Sequence, residues 1–177
     1  SNPNTIWVGS GENNNQRSAA YGDGVYKSLD GGKSFTNMGL ANSEHIGNII
    51  IHPKDENTLW VAAYGPLWSA GGERGVYKST DGGKTWKNMG LKLSEHIGRI
   101  AVDPRNSNIV YVAAYGPLWS AGGERGIYKT TDGGLTWHRV LYVSENTGFN
   151  EVHIDPNHPD ILYASAHQRR RHEWTYI

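Results

Sequence analysis

No cysteine occurs among the 177 residues, and methionine and phenylalanine are limited to two each. The missing cysteine excludes a disulfide scaffold, cysteine-ligated zinc and thiol catalysis, and leaves the compartment open. Charge of one sign is missing too. Seventeen basic side chains balance seventeen acidic ones, so there is no electrostatic footprint for nucleic acid or an anionic membrane. No apolar run approaches the roughly 20 residues of a membrane-spanning helix. No window carries helical spacing of its apolar residues. What is abundant is glycine (23), tyrosine (10) and tryptophan (7), a mixture that predicts many short strands joined by tight turns.

The chain repeats itself. SLDGGKSF (28–35), STDGGKTW (79–86) and TTDGGLTW (130–137) follow one another at a constant interval. Around the second and third, the segments 43–93 and 94–143 align almost throughout, and both contain the run VAAYGPLWSAGGERG. The first copy (1–42) is partial, with a different loop, GSGENNNQRSAAYGDG, and the fourth (144–177) opens at SENTGFNEVHIDP. Within one copy, HIGNIIIHP, TLWVAAYG, GVYKST and TWKNMGL read as four antiparallel strands separated by turn chemistry. The expectation is an all-β fold of β-propeller blades, about three and a half in this chain, with 13–14 strands and an incomplete ring unless the chain is oligomeric.

The eight-residue segments resemble the Asp-box, or bacterial neuraminidase repeat, Ser/Thr-x-Asp-x-Gly-x-Thr/Ser-Trp/Phe. Asp30, Gly32 and Phe35 carry it first, then Asp81, Gly83 and Trp86, then Asp132, Gly134 and Trp137. The residues themselves suggest a hairpin in which Asp accepts turn N–H groups, glycine supplies the positive φ and the aromatic covers the turn. The resemblance implies a structural hairpin away from any active site. It extends over nearly the whole chain and is similar to the propellers of sialidases, sortilin-type receptors and xyloglucanase-type glycoside hydrolases. Its texture is nearest to sortilin-like and glycosyl-hydrolase-like secreted bacterial repeat proteins, which implies an extracellular or periplasmic parent. A sialidase would also carry a Phe/Tyr-Arg-Ile-Pro segment, which this sequence lacks.

Antiparallel connections alternate between the two ends of the strands. The Asp-Gly-Gly turns and the Asp-Pro turns (Asp103–Pro104, Asp155–Pro156) therefore share one face. The long loops and the connections between copies share the other. That second face is expected to gather Glu12, Arg17, Trp68, Arg74, Trp119, Arg125, Arg169 and Arg170, the candidate ligand contacts. Tryptophan suits the apolar face of a sugar, and guanidinium suits carboxylates or carbonyls, so a carbohydrate or peptide ligand is the expectation. The competing reading has the tryptophans packed over the blade edge and Glu73/Arg74 and Glu124/Arg125 as solvated turn charges. His45 and His96 read as core or channel-lining residues.

No catalytic set emerges. Glycosidases use two carboxylates about 5 Å or about 6.5–9.5 Å apart. The candidates Glu12, Glu73, Glu124 and Glu173, or Glu44 and Glu95, contain copies of one position rather than a convincing pair. No metal site or cofactor is expected either. The reading is thus a non-catalytic scaffold or binding module that completes its ring by self-association, most simply as a dimer. The alternative is a fragment of a secreted carbohydrate-active hydrolase. The start at Ser1 and the identical run suggest an engineered or recombined piece.

Overall fold

The computed structural model describes residues 2–12, 19–69 and 71–168. The chain divides into two units, residues 1–88 and 89–177, each holding two antiparallel sheets.

In the first unit, β1 (Ile6–Gly9), β2 (Val25–Ser28) and β3 (Thr36–Asn37) form a three-stranded sheet. A four-stranded sheet follows, in the order β4 (Ile46–His52), β5 (Asp55–Ala63), β6 (Gly75–Ser79), β7 (Lys87–Asn88). In the second unit, β8 (Ile97–Val102), β9 (Val110–Ala114), β10 (Gly126–Thr130) and β11 (His138–Leu141) again lie side by side in chain order. The last sheet pairs β12 (Thr147–Ile154) with β13 (Leu162–Gln168). The three larger sheets are meanders, the connectivity of a propeller blade, and the last is a single hairpin. The expected third strand of the last copy, HEWTYI, lies outside the described residues.

The second strand of a complete blade is buried on both faces, so it reads as a near-continuous apolar run. Leu59 through Ala63 and Val110 through Ala114 are all buried. In the first unit the two sheets share a core of Val25, Leu40, Ile46, Val61, Ala63 and Tyr77, with Trp7, Ile49 and Trp86 against it. In the second unit Tyr111, Ala113, Ile127, Phe149 and Val152 play the same part. The outer strands are shorter than TWKNMGL suggests. β3 and β7 make only two paired residues each, because the chain leaves at Gly39 and Gly90, both at positive φ. It then enters a 3₁₀ turn (Ala41–Ser43 or Lys92–Ser94) before the next inner strand. Leu40, Glu44, Leu91 and Glu95 frame these turns with φ of 57–60°, a repeated strain held by burial of the two leucines.

Sequence reading missed one recurrent pairing. A lysine of the third strand stands opposite an aromatic of the second and lies over its ring: Lys27 on Trp7, Lys78 on Trp60, Lys129 on Tyr111. Burial pushes the Lys78 ammonium down, a cost that the ring face offsets.

Candidate functional site

At one end of the strands the three Asp turns are near-identical. Ser28 Oγ donates to Asp30 Oδ1 (2.8 Å) and accepts the Gly32 N–H (2.8 Å). The Asp30 carboxylate also accepts the N–H groups of Lys33 and Ser34 (3.0 Å each) and the Ser34 hydroxyl (2.6 Å). Thr85 and Thr136 repeat that hydroxyl bond to Asp81 and Asp132 at 2.6 Å. The turn closes through successive glycines at positive φ, Gly31 and Gly32 in the first copy. Trp86 Nε1 then donates to the Met38 carbonyl, and Trp137 Nε1 to that of Met89, both at 2.7 Å. Phe35, without a ring N–H, is 44 % exposed.

These carboxylates are saturated with donors, led by the Ser/Thr hydroxyl, and the pKa values of Asp30 and Asp81 are lowered to about 2, with Asp132 lowered as well. A folded-state pKa below the unfolded value of 3.8 means stability that is present above pH 3.8 and lost as pH falls toward 2. Acid titration followed by tryptophan fluorescence is expected to show unfolding in that window, and Asp81→Asn is expected to flatten it. An unchanged acid limb in the variant would refute this assignment. The neighbouring Asp-Pro turns are tied in their own way. In the second unit Arg105 donates to Asp103 (Nε 3.1 Å, Nη2 2.8 Å) and to Asp160 (2.9 Å), joining the turns of its two sheets.

The opposite end holds the long loops, and here the structure corrects the sequence reading. Arg74 and Arg125 are not solvated turn charges. Both are buried, each at the centre of its own loop. Arg125 donates from Nε to Gly122 O (3.0 Å), from Nη1 to Tyr115 O (2.7 Å), and from Nη2 to Pro117 O and Ser120 O (2.8 Å). Arg74 makes the equivalent bonds to Gly71, Tyr64, Pro66 and Ser69. Gly65 and Gly116 make room: a Cβ on Gly116 would stand 2.4 Å from Arg125 Cγ. The adjacent glutamates are also occupied. Glu73 Oε2 accepts the Asn42 N–H (2.9 Å) and Glu124 Oε2 the Leu93 N–H (2.8 Å), pinning each loop to the turn that enters its own sheet.

What each clamped loop presents outward is its tryptophan. Trp68 is 45 % and Trp119 41 % exposed. Glu12 belongs to the neck of the first-copy loop, where its N–H donates to Ala20 O (2.8 Å) and its carboxylate accepts the Ala20 N–H (3.2 Å). Arg17, Arg169 and Arg170 lie outside the described residues. His45 and His96 are fully buried at the start of inner strands. Burial pushes the His45 imidazole down, against the opposing pull of the Glu44 carboxylate 4.0 Å away, so it is neutral near pH 7. His96 Nδ1 lies 3.2 Å from Gly116 O. A polar pair the sequence did not suggest sits close by, Tyr115 Oη with His167 Nδ1 at 3.1 Å. Among the described residues no group of His, Asp and Glu could hold a metal ion, and no helix is long and apolar enough to cross a membrane.

Four antiparallel sheets in chain order, with recurrent Asp turns at one end of their strands and arginine-clamped loops at the other, define blades of a β-propeller. Residues 23–176 match the Sortilin-Vps10 family, described as sortilin, neurotensin receptor 3, and the chain belongs to that family. It is also similar to a xyloglucanase of Paenibacillus sp (30 % identity over 155 residues, 79 % of this chain and 14 % of that protein). A probable oligoxyloglucan-reducing end-specific xyloglucanase of Neosartorya fischeri is 32 % identical over 146 residues, 77 % of this chain and 17 % of its own length. The chain thus spans about a sixth of the length of these relatives. Among solved structures, the GH74 enzyme of Niastella koreensis superposes with a TM-score of 0.56 at 27 % identity, covering 78 % of this chain and 20 % of that one. An ancestral GH74 enzyme gives 0.63 at 20 % identity over 92 % of this chain and 22 % of its own, a likeness of fold.

Proposed function

We propose that this chain is a stretch of the propeller of a secreted, xyloglucan-active glycoside hydrolase, to which it contributes glycan-stacking platforms. This reading displaces the self-contained, non-catalytic module expected from the sequence. The observation that carries it is the agreement of three xyloglucanase relatives at 30–32 % identity, against which a free-standing module has no comparable support. In this reading the Asp turns are Asp-boxes, structural hairpins remote from the glycan. Trp68 and Trp119 meet it. Each exposed indole is carried on a loop whose arginine cage fixes it before a ligand arrives, so little ordering entropy opposes binding.

Xyloglucan oligosaccharides titrated into the chain by calorimetry are expected to bind saturably. Trp68→Ala and Trp119→Ala are each expected to weaken binding by up to about tenfold without altering the thermal midpoint. Equal retention of both variants on xyloglucan, or no binding by the parent chain, would reject the proposal.

A further inference from the structure

The sequence Ser-Glu-His-Ile-Gly occurs twice, at 43–47 and 94–98, yet its polar atoms are bonded differently in the two places. In the second unit Ser94 Oγ donates to His96 O (2.7 Å) and accepts the Gly116 N–H (3.3 Å). His96 Nδ1 lies 3.2 Å from Gly116 O. In the first unit Ser43 and His45 are just as deeply buried, but Ser43 Oγ and both ring nitrogens of His45 have no hydrogen-bond partner. Buried donors and acceptors left unmet in this way weaken the closed arrangement that holds them.

What covers the pair in the first unit is the loop peculiar to the first copy. At its neck, a Cβ on Gly11 would stand 2.0 Å from Glu44 O and 2.9 Å from His45 Cα. The returning limb, residues 19–24, hangs on the same turn through the Gly22 N–H, which donates to Glu44 O (2.7 Å). The Glu12 N–H ties neck to limb by donating to Ala20 O (2.8 Å). Tyr21, itself 66 % exposed, rests on the imidazole with ring centroids 5.7 Å apart. Ala19 packs in a small core with Tyr64 and Leu67, at the root of the loop that carries Trp68. Among the described residues, the titratable groups around His45 are Glu44 on its own turn, Glu12 on the neck, Tyr21 on the limb and Tyr64 of β5, whose N–H bonds the His45 carbonyl. Burial outweighs the pull of the two carboxylates and keeps the ring neutral near pH 7.

We propose that His45 is an acid-sensitive latch: when its imidazole takes a proton from water, the limb 19–24 lifts off the 41–44 turn and the imidazolium reaches solvent. Closed, the ring has no hydrogen bond to lose. Open, its N–H groups and Ser43 Oγ find water, so the open form binds the proton more tightly and acid favours opening. Lifting the limb takes Tyr21 off the ring, breaks the Gly22–Glu44 bond and withdraws Ala19 from Tyr64 and Leu67. His96 has the Gly116 carbonyl beside Nδ1, so the response belongs to the first unit. The latch involves no ligand and stands or falls apart from the glycan reading.

The test is amide hydrogen exchange on the full chain between about pH 7.5 and about pH 5.5, with the intrinsic pH dependence of exchange divided out. As pH falls below the ordinary histidine value of 6.5, the Gly22 and Glu12 amides are expected to lose protection by up to about tenfold per pH unit. The Glu124 amide, bonded to Leu93 O in the second unit, is expected to keep its protection. His45→Gln, which cannot take the proton, is expected to abolish the pH response of Gly22. A histidine NMR titration of the unaltered chain runs in parallel, so a variant that fails to fold leaves the question answerable, and His45 is expected to titrate below 6.5. Titration at or above that value, protection of Gly22 that does not change with pH, or the same change in His45→Gln would each overturn the proposal.

Discussion

Arg125→Ala is expected to cost about 3–5 kcal/mol, a large share of the roughly 5–15 kcal/mol that holds a domain folded. Four carbonyls lose their donor at once, those of Tyr115, Pro117, Ser120 and Gly122, inside a loop with no room to turn them toward water. The guanidinium is almost wholly inaccessible, so the carbonyl dipoles turned toward it carry much of the compensation for its charge. Lysine keeps the charge but not the fork. An ammonium offers three donors from a single point, and Arg125→Lys should recover only part of the loss. Urea unfolding midpoints at unchanged slope measure both. A midpoint for Arg125→Ala equal to that of the parent would refute the cage.

Gly148→Ala should be comparably damaging by a different route. A Cβ there would fall 1.9 Å from Tyr115 O and 2.6 Å from Tyr115 C, and both contacts are main chain. No rotamer relieves them, so β12 must move away from β9, and Phe149 in the core moves with it. A loss of about 3 kcal/mol or more is expected. Gly122→Ala is the informative contrast, since a Cβ there meets nothing within 4 Å and suffers only its φ of 81°. That strain is worth about 1 kcal/mol, rising toward 3 where the neighbours resist. Thermal melts that rank the two variants in the opposite order would show that conformational strain outweighs collision in these sheets.

Much of the architecture was legible because turn chemistry punctuates it. Asp-Gly-Gly between apolar runs names both a hairpin and its neighbours, and the three copies checked one another. The outer strands were over-read, since TWKNMGL looks like seven residues of strand but leaves the ladder after two. The loop arginines were misread for a physical reason. An arginine beside glycines in a polar loop is ordinarily solvated, and only closure of ten residues around it makes the same side chain an interior one. Local sequence carries no sign of that closure. The repeat carried an indirect one, because the run VAAYGPLWSAGGERG stays identical while its flanks differ. Read as a mark of recent duplication, it also answers to geometry: proline, glycine and arginine each have a contact that a substitute would break.

The four carbonyls described around each caged arginine come from within eleven consecutive residues, Tyr64–Arg74 or Tyr115–Arg125. Such a loop behaves as a cassette. It brings much of its own interior with it and can be copied from one blade to another verbatim, asking of its host a β-hairpin of the right width and an entry turn whose N–H meets the glutamate carboxylate and whose carbonyl meets the glutamate N–H. The half-exposed tryptophan near its tip supplies none of the carbonyls described around the arginine, so a lineage can vary the outer surface of the loop while that cage persists beneath it.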